Sequence, residues 1–149
     1  MGAEENKQLV RRWFAEIDQG NLDAIEELVS ADYVDHNPPF PGLPPGREGI
    51  SQANLLLRSA FSDVVHTLEE QLAEGDKVMT RLTVRGTFTG EFLGYPPNGQ
   101  VVAIGGITVH RIANGQLVEH WAQADMAGFM AQVGAAPDPT EARTAPAER

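Results

Sequence analysis

The chain has 149 residues, enough for one domain with a sizeable core and too few for two. Eleven Lys and Arg against 21 Asp and Glu leave a net charge of −10, which argues against nucleic acid and anionic membrane surfaces as partners. Cysteine is absent, so disulfides, thiolate nucleophiles, zinc knuckles and iron–sulfur clusters are excluded.

The start, Met1 to Asn6, is acidic and leads into no apolar stretch, so a signal peptide is not expected. Asn6 stands where a myristoylation motif wants Ser or Thr, and no apolar run reaches membrane-spanning length. A soluble cytoplasmic protein is the expectation.

Leu9, Val10, Trp13, Phe14 and Ile17 recur at helical spacing, and the helix should end at Gly20. Asn21 is placed to cap a second helix with Leu22, Ile25, Leu28 and Val29 on its apolar face. Ser30 to Asn37 reads as a short extended segment ending in a turn. The prolines of 38–46 forbid helix or central strand there. A third helix is expected from about Arg47 to Phe61.

The period then changes to that of strands. Val64 to Glu74 alternates loosely up to the turn Gly75-Asp76. Lys77 to Thr89 carries Val78, Leu82, Val84 and Phe88 on one face and Arg81, Thr83, Arg85 and Thr87 on the other. A loop over 91–99 leads to a long strand, Gln100 to Ile112, apolar on both faces. Ala113-Asn114-Gly115 is a hairpin turn, Gln116 to Asp125 the last strand, and Met126 to Val133 a closing helix. Residues 1–134 thus form a single domain, and the Ala/Pro-rich stretch 135–149 reads as a mobile tail. Helices followed by hairpin-joined strands argue an α+β fold with helices on one face of a curved antiparallel sheet. A bent sheet over helices makes a cone with a blind pocket, the default site for a hydrophobic small molecule. The doubly apolar strand 101–111 suggests that the outer side of the sheet is covered too, by a homodimer partner.

Arg81-Leu82-Thr83-Val84-Arg85-Gly86-Thr87-Phe88-Thr89-Gly90-Glu91-Phe92-Leu93-Gly94-Tyr95-Pro96-Pro97-Asn98-Gly99 resembles the central signature of the SnoaL-like polyketide cyclases, within the nuclear transport factor 2-like superfamily of α+β cones. Asp35-His36-Asn37-Pro38 resembles that family's Asp-His segment after the second helix. Val118-Glu119-His120-Trp121 with Asp125 resembles its last strand, and Gln132-Val133-Gly134 its closing helix; together the likeness spans residues 6–134. The resemblance implies a cofactor-free intramolecular aldol condensation. Its acidic general acid/base matches Asp125, and the histidine associated with it matches His110. One departure is Phe88, where the family commonly reads Gly-Thr-His-Thr-Gly.

Alternatives compete at each position. Asp125, between strand and helix, is also a favoured N-cap. His110 can be a structural histidine, with Glu119 or Trp121 as its neighbour if the hairpin pairs regularly. Glu119 can pair with Arg81 or Arg111, and Trp121 can be a pocket wall or core aromatic. His36, held extended before Asn37-Pro38, can donate to a substrate carbonyl or face solvent. Trp13, Phe61 and Phe88 complete the expected pocket lining. His66 and His120 receive no role. No His-x-x-x-His or His-x-His motif, phosphate loop or nucleophile elbow occurs, so neither a metal nor a cofactor is expected.

Three functions follow. The first is a cyclase in which Asp125 removes a proton next to a carbonyl while His110 and His36 steady the enolate. The second is a non-catalytic ligand-binding or dimerisation module of the same fold, which Phe88 favours. The third is an epoxide hydrolase or hydroxylase, for which Asp125, Arg81 and Asn54 would have to converge.

Overall fold

The structure, a computed structural model, describes residues 2–134. The expected tail at 135–149 lies outside the described residues. In chain order the elements are α1 (Ala3–Asp18), α2 (Ala24–Leu28), β1 (Val29–Asp35), α3 (Gly46–Ala60), β2 (Val65–Glu74), β3 (Lys77–Thr87), β4 (Val101–Ala113), β5 (Gln116–Ala124) and α4 (Met126–Gln132). The strands form one sheet in the order β1-β5-β4-β3-β2. The α+β cone is the observed architecture.

Two local expectations are corrected. The extended segment after α2 is a full strand, and it lies parallel to β5, pairing Val29 with Leu117 and Asp35 with His120. The sheet is therefore antiparallel only from β5 to β2. Asn21 does not cap α2. Its amide donates to Glu16, and α2 begins at Ala24 after Asp23, with no side-chain cap.

The α1 stripe lands on the sheet as its periodicity requires: Val10, Trp13, Phe14 and Ile17 are buried against Val78, Leu82, Ile112 and Leu117. A second apolar cluster, Phe61, Phe88, Phe92 and Phe129, joins the end of α3 to α4 and to the loop after β3. Here two glycines of the stretch 81–99 act sterically. A Cβ at Gly90 would stand 2.1 Å from the Ser59 carbonyl oxygen, and one at Gly86 would stand 2.8 Å from the Phe61 Cβ. Any larger residue would push the strand off the end of α3.

The hairpin at Asn114-Gly115 takes the left-handed conformation at both residues (φ 53° and 71°), the turn that suits twisted strands. Just beyond it the ladder slips. Ile112 pairs with Leu117 but Arg111 pairs with Glu119, so Val118 is an extra residue on β5. One extra residue exchanges the two faces of everything that follows. Past the bulge, His120 and Ala122 face the concave side, and Glu119 and Trp121 face outward.

Candidate functional site

The concave face of the sheet, α1, α3, β1 and the proline-rich loop enclose a cavity of about 550 Å³. Its walls are mainly apolar, with Trp13, Phe14, Phe40, Leu57 and Phe92 prominent. Among the described residues the ionisable groups on this wall are few: Asp35, His66, His110, His120 and the phenol of Tyr33.

Three of them form a row across neighbouring strands. Asp35 on β1 is level with His120 on β5, which is level with His110 on β4. His120 Nδ1 lies 3.0 Å from Asp35 Oδ1, and the His120 and His110 rings are 4.7 Å apart. Burial by itself raises the Asp35 carboxyl. The hydrogen bond and charge of His120, the Asn37 amide and the charge of His36 outweigh it, so Asp35 is held below the ordinary aspartate range. Asp35 is thus an ionised acceptor that fixes His120 with Nδ1 toward it, leaving Nε2 as the remaining ring nitrogen. His110 is fully enclosed. Burial first, and the neighbouring His120 second, hold its pKa well below the ordinary histidine value, and its Nδ1 has no partner among the described residues. Burial, followed by the charge of Asp35, pushes the Tyr33 phenol upward, so it stays protonated.

At another height of the cone, His66 on β2 carries its own carboxylate. Asp18, the last residue of α1, accepts the His66 main-chain N–H at 2.8 Å and faces its Nδ1 at 2.6 Å.

The sequence expectations divide sharply at this site. His110 and Trp13 are on the cavity wall. Asp125 is not: it is exposed, it is the N-cap of α4, and its Oδ1 accepts the Gly128 N–H at 2.9 Å. The capping alternative describes it, because the chain turns from strand to helix at that residue and the orphan amides of the first turn take its carboxylate. His36, Glu119 and Trp121 stand on the outer side of the sheet. His36 stacks on Trp121 with ring centres 4.6 Å apart, and its Nε2 meets Glu119 at 2.8 Å. Arg111 binds the other Glu119 oxygen and Lys77 lies over the Trp121 ring. Phe61 and Phe88 belong to the aromatic cluster, stacked at 5.2 Å, rather than to the cavity wall. The Asp125, Arg81 and Asn54 set does not converge. Asn54 is on the wall, but Arg81 is exposed and pairs with Glu70 at 3.2 Å.

The residues missed are Asp35, His66 and His120. Strand parity counted straight through the hairpin puts His120 outside; only the bulge brings it in.

The match to known proteins follows this geometry. The family model for the SnoaL-like polyketide cyclase matches residues 8–133. The chain belongs to the SnoaL-like polyketide cyclase family. Aklanonic acid methyl ester cyclase DnrD of Streptomyces peucetius is 30% identical over 132 residues, covering 85% of this chain and 88% of that protein. Nogalonic acid methyl ester cyclase of Streptomyces nogalater is 25% identical over 116 residues, covering 77% and 87%. Among solved structures, TsrD from Streptomyces laurentii superposes with a TM-score of 0.82 at 28% identity, over 91% of this chain and 99% of that one. IdmH from Streptomyces antibioticus gives 0.76 at 30% identity, over 87% and 98%. Within this SnoaL-like fold no helix among the described residues is long and apolar enough to cross a membrane.

Proposed function

We propose that the protein closes a ring in a polyketide-derived ketone by intramolecular aldol condensation, with His120 as the proton-transfer group and Asp35 as its orienting partner. The observation that carries this reading is the Asp35–His120 pair on the wall of an apolar cavity. His120 Nε2 takes a proton from a carbon next to a carbonyl. The resulting enolate carbon bonds to a second carbonyl carbon of the same molecule, whose oxygen receives the proton back from the imidazolium. A carbon flanked by two carbonyls is acidic enough for an imidazole base, and the ionised Asp35 stabilises the imidazolium between the two transfers. Neutral His110 and the protonated Tyr33 phenol are the nearby hydrogen-bonding groups for the enolate oxygen. The cavity holds both carbons of one molecule together, which supplies the proximity contribution.

Aklanonic acid methyl ester and nogalonic acid methyl ester, the compounds named for two relatives, are the substrates to test first. His120→Gln and Asp35→Asn should each lower kcat by about 10²–10⁴-fold, the usual weight of a positioned acid/base. Asp125→Ala should lose about 1 kcal/mol of stability through its cap and keep kcat within a factor of about three. Full turnover in His120→Gln, or collapse of kcat in a folded Asp125→Ala, would refute the assignment. Ligand binding without α-proton exchange in deuterated water would mark a non-catalytic module. The outer side of the sheet carries the exposed side chains of Leu72, Val101 and Ile107, which supports a homodimer through that face.

A further inference from the structure

A polar seam crosses the apolar core beside the Asp35, His120 and His110 row. Gln71 on β2, Thr80 on β3 and Thr108 on β4 are level with one another. Thr108 precedes His110 by two residues in a stretch where the pairing of β4 with β3 is unbroken, so the two side chains share the inward face. On β3 the seam is flanked by Val78 and Leu82, both buried, and Thr80 between them is wholly buried. α1 covers its β2 end. There Gln71 Nε2 donates to Thr80 Oγ1 at 3.2 Å and to the Lys7 carbonyl at 3.5 Å, and Asn6, next to Lys7, is buried too.

Four buried atoms along this seam have no hydrogen-bond partner among the described residues: Asn6 Oδ1, Gln71 Oε1, Thr108 Oγ1 and His110 Nδ1. Protein interiors rarely leave such atoms unpaired, because each then carries its full desolvation cost. Their gathering on one seam is the informative feature. Two are amide oxygens that need a donor, and the Gln71 amide is oriented by its nitrogen facing the Lys7 carbonyl. A threonine hydroxyl both donates and accepts, and an imidazole nitrogen does whichever its tautomer allows. The seam carries no carboxylate, ammonium or guanidinium to hold an ion. Water, donor and acceptor at once, meets all four needs.

We propose that internal water occupies this seam, and that Thr108 acts through it as a positioning residue that offers His110 Nδ1 a hydrogen and so keeps the imidazole proton on Nε2. The direction rests on the proposed ring closure, in which neutral His110 donates to the enolate oxygen; the water rests on the unpartnered atoms alone. Which ring nitrogen holds the proton is set by the hydrogen bond the other one makes. A dry seam predicts the opposite for one substitution. Exchanging an unpartnered hydroxyl for a methyl of the same shape removes a desolvation cost, whereas exchanging a hydroxyl bonded to water strands its partner.

The test uses the full chain without substrate. A crystal structure at a resolution that orders internal water should place a water within hydrogen-bonding distance of both Thr108 Oγ1 and His110 Nδ1. With nitrogen-15-labelled histidine, NMR at neutral pH should show His110 with its proton on Nε2 in the wild type and in Thr108→Ser. Thr108→Val should shift the tautomer ratio toward Nδ1–H by about threefold or more, within the worth of one net hydrogen bond, and should lower the urea midpoint. A seam without that water, a wild-type proton on Nδ1, a smaller tautomer shift in Thr108→Val, or an unchanged or raised urea midpoint overturns the proposal. The two wild-type measurements decide it if Thr108→Val does not fold. No readout involves turnover, so failure of the seam and failure of the cyclase reading are separable.

Discussion

His110 offers a quantitative check on how dry and enclosed the site is. The side chain is 2% exposed, its Nδ1 lacks a partner among the described residues, and burial followed by the nearby His120 holds its pKa well below the ordinary histidine value. The unfolded chain has no such environment, so there His110 titrates near 6.5. Stability is fully present above that value. As pH falls through it, the unfolded state gains a proton that the folded state refuses, and stability is lost until the folded pKa is reached. If His110 stays neutral down to pH 5.5, the change from pH 7.5 to 5.5 favours the unfolded state about tenfold, or about 1.4 kcal/mol, from this group alone. His110→Gln removes the titration and keeps an amide of similar reach. Contributions common to both proteins cancel, so the difference between the two pH dependences reports His110 together with its coupling to the neighbouring His120. Urea unfolding at pH 7.5, 6.5 and 5.5 measures it: the wild type should lose about 1.4 kcal/mol more than His110→Gln over that range. Equal pH dependences would mean that His110 protonates freely in the folded state, and the neutral hydrogen-bonding role assigned to it would fall.

Phe88 is wholly buried between Phe61 and Phe129, so Phe88→Ala should cost about 3–5 kcal/mol in denaturant unfolding. Phe88→His should cost about 1–3 kcal/mol for an unpartnered buried imidazole and leave kcat within threefold, because this side chain does not reach the cavity wall. A tenfold gain in kcat would place it in the chemistry instead. For the proposed homodimer, the wild type should sediment at micromolar concentration at twice the 16.1 kDa chain mass and Ile107→Glu at the single-chain mass; a monomeric wild type sinks that proposal.

Much of the architecture was legible because it is written in local periodicity. The third helix, expected from Arg47 to Phe61, spans Gly46–Ala60, and the Asn114-Gly115 turn joins β4 to β5 as its chemistry requires. What was illegible depends on partners far along the chain. β1 looks like a loose extended segment because its ladder is with β5, whose Glu119 and His120 meet Val34 and Asp35 across most of the chain. The bulge at Val118 leaves no mark in the hydrophobic pattern, since Val118 is as apolar as a regular strand residue would be.

That bulge also explains why the site's carboxylate is not on the last strand. A side chain reaches the cavity from β5 only at inward positions, and past the bulge the residues there are His120 and Ala122. His120 alone of these can carry a proton. Asp125 follows the strand, where the α4 amides claim its carboxylate. A histidine in an apolar wall still needs a charge to set its tautomer and to stabilise its protonated form. The acid must therefore come from the neighbouring strand at the same level. β1 supplies it, because parallel pairing sets Asp35 directly beside His120. The resemblance identified the family, but resemblance is read along the chain and access to the cavity depends on which face a residue occupies. In this fold one uncounted residue decides the face.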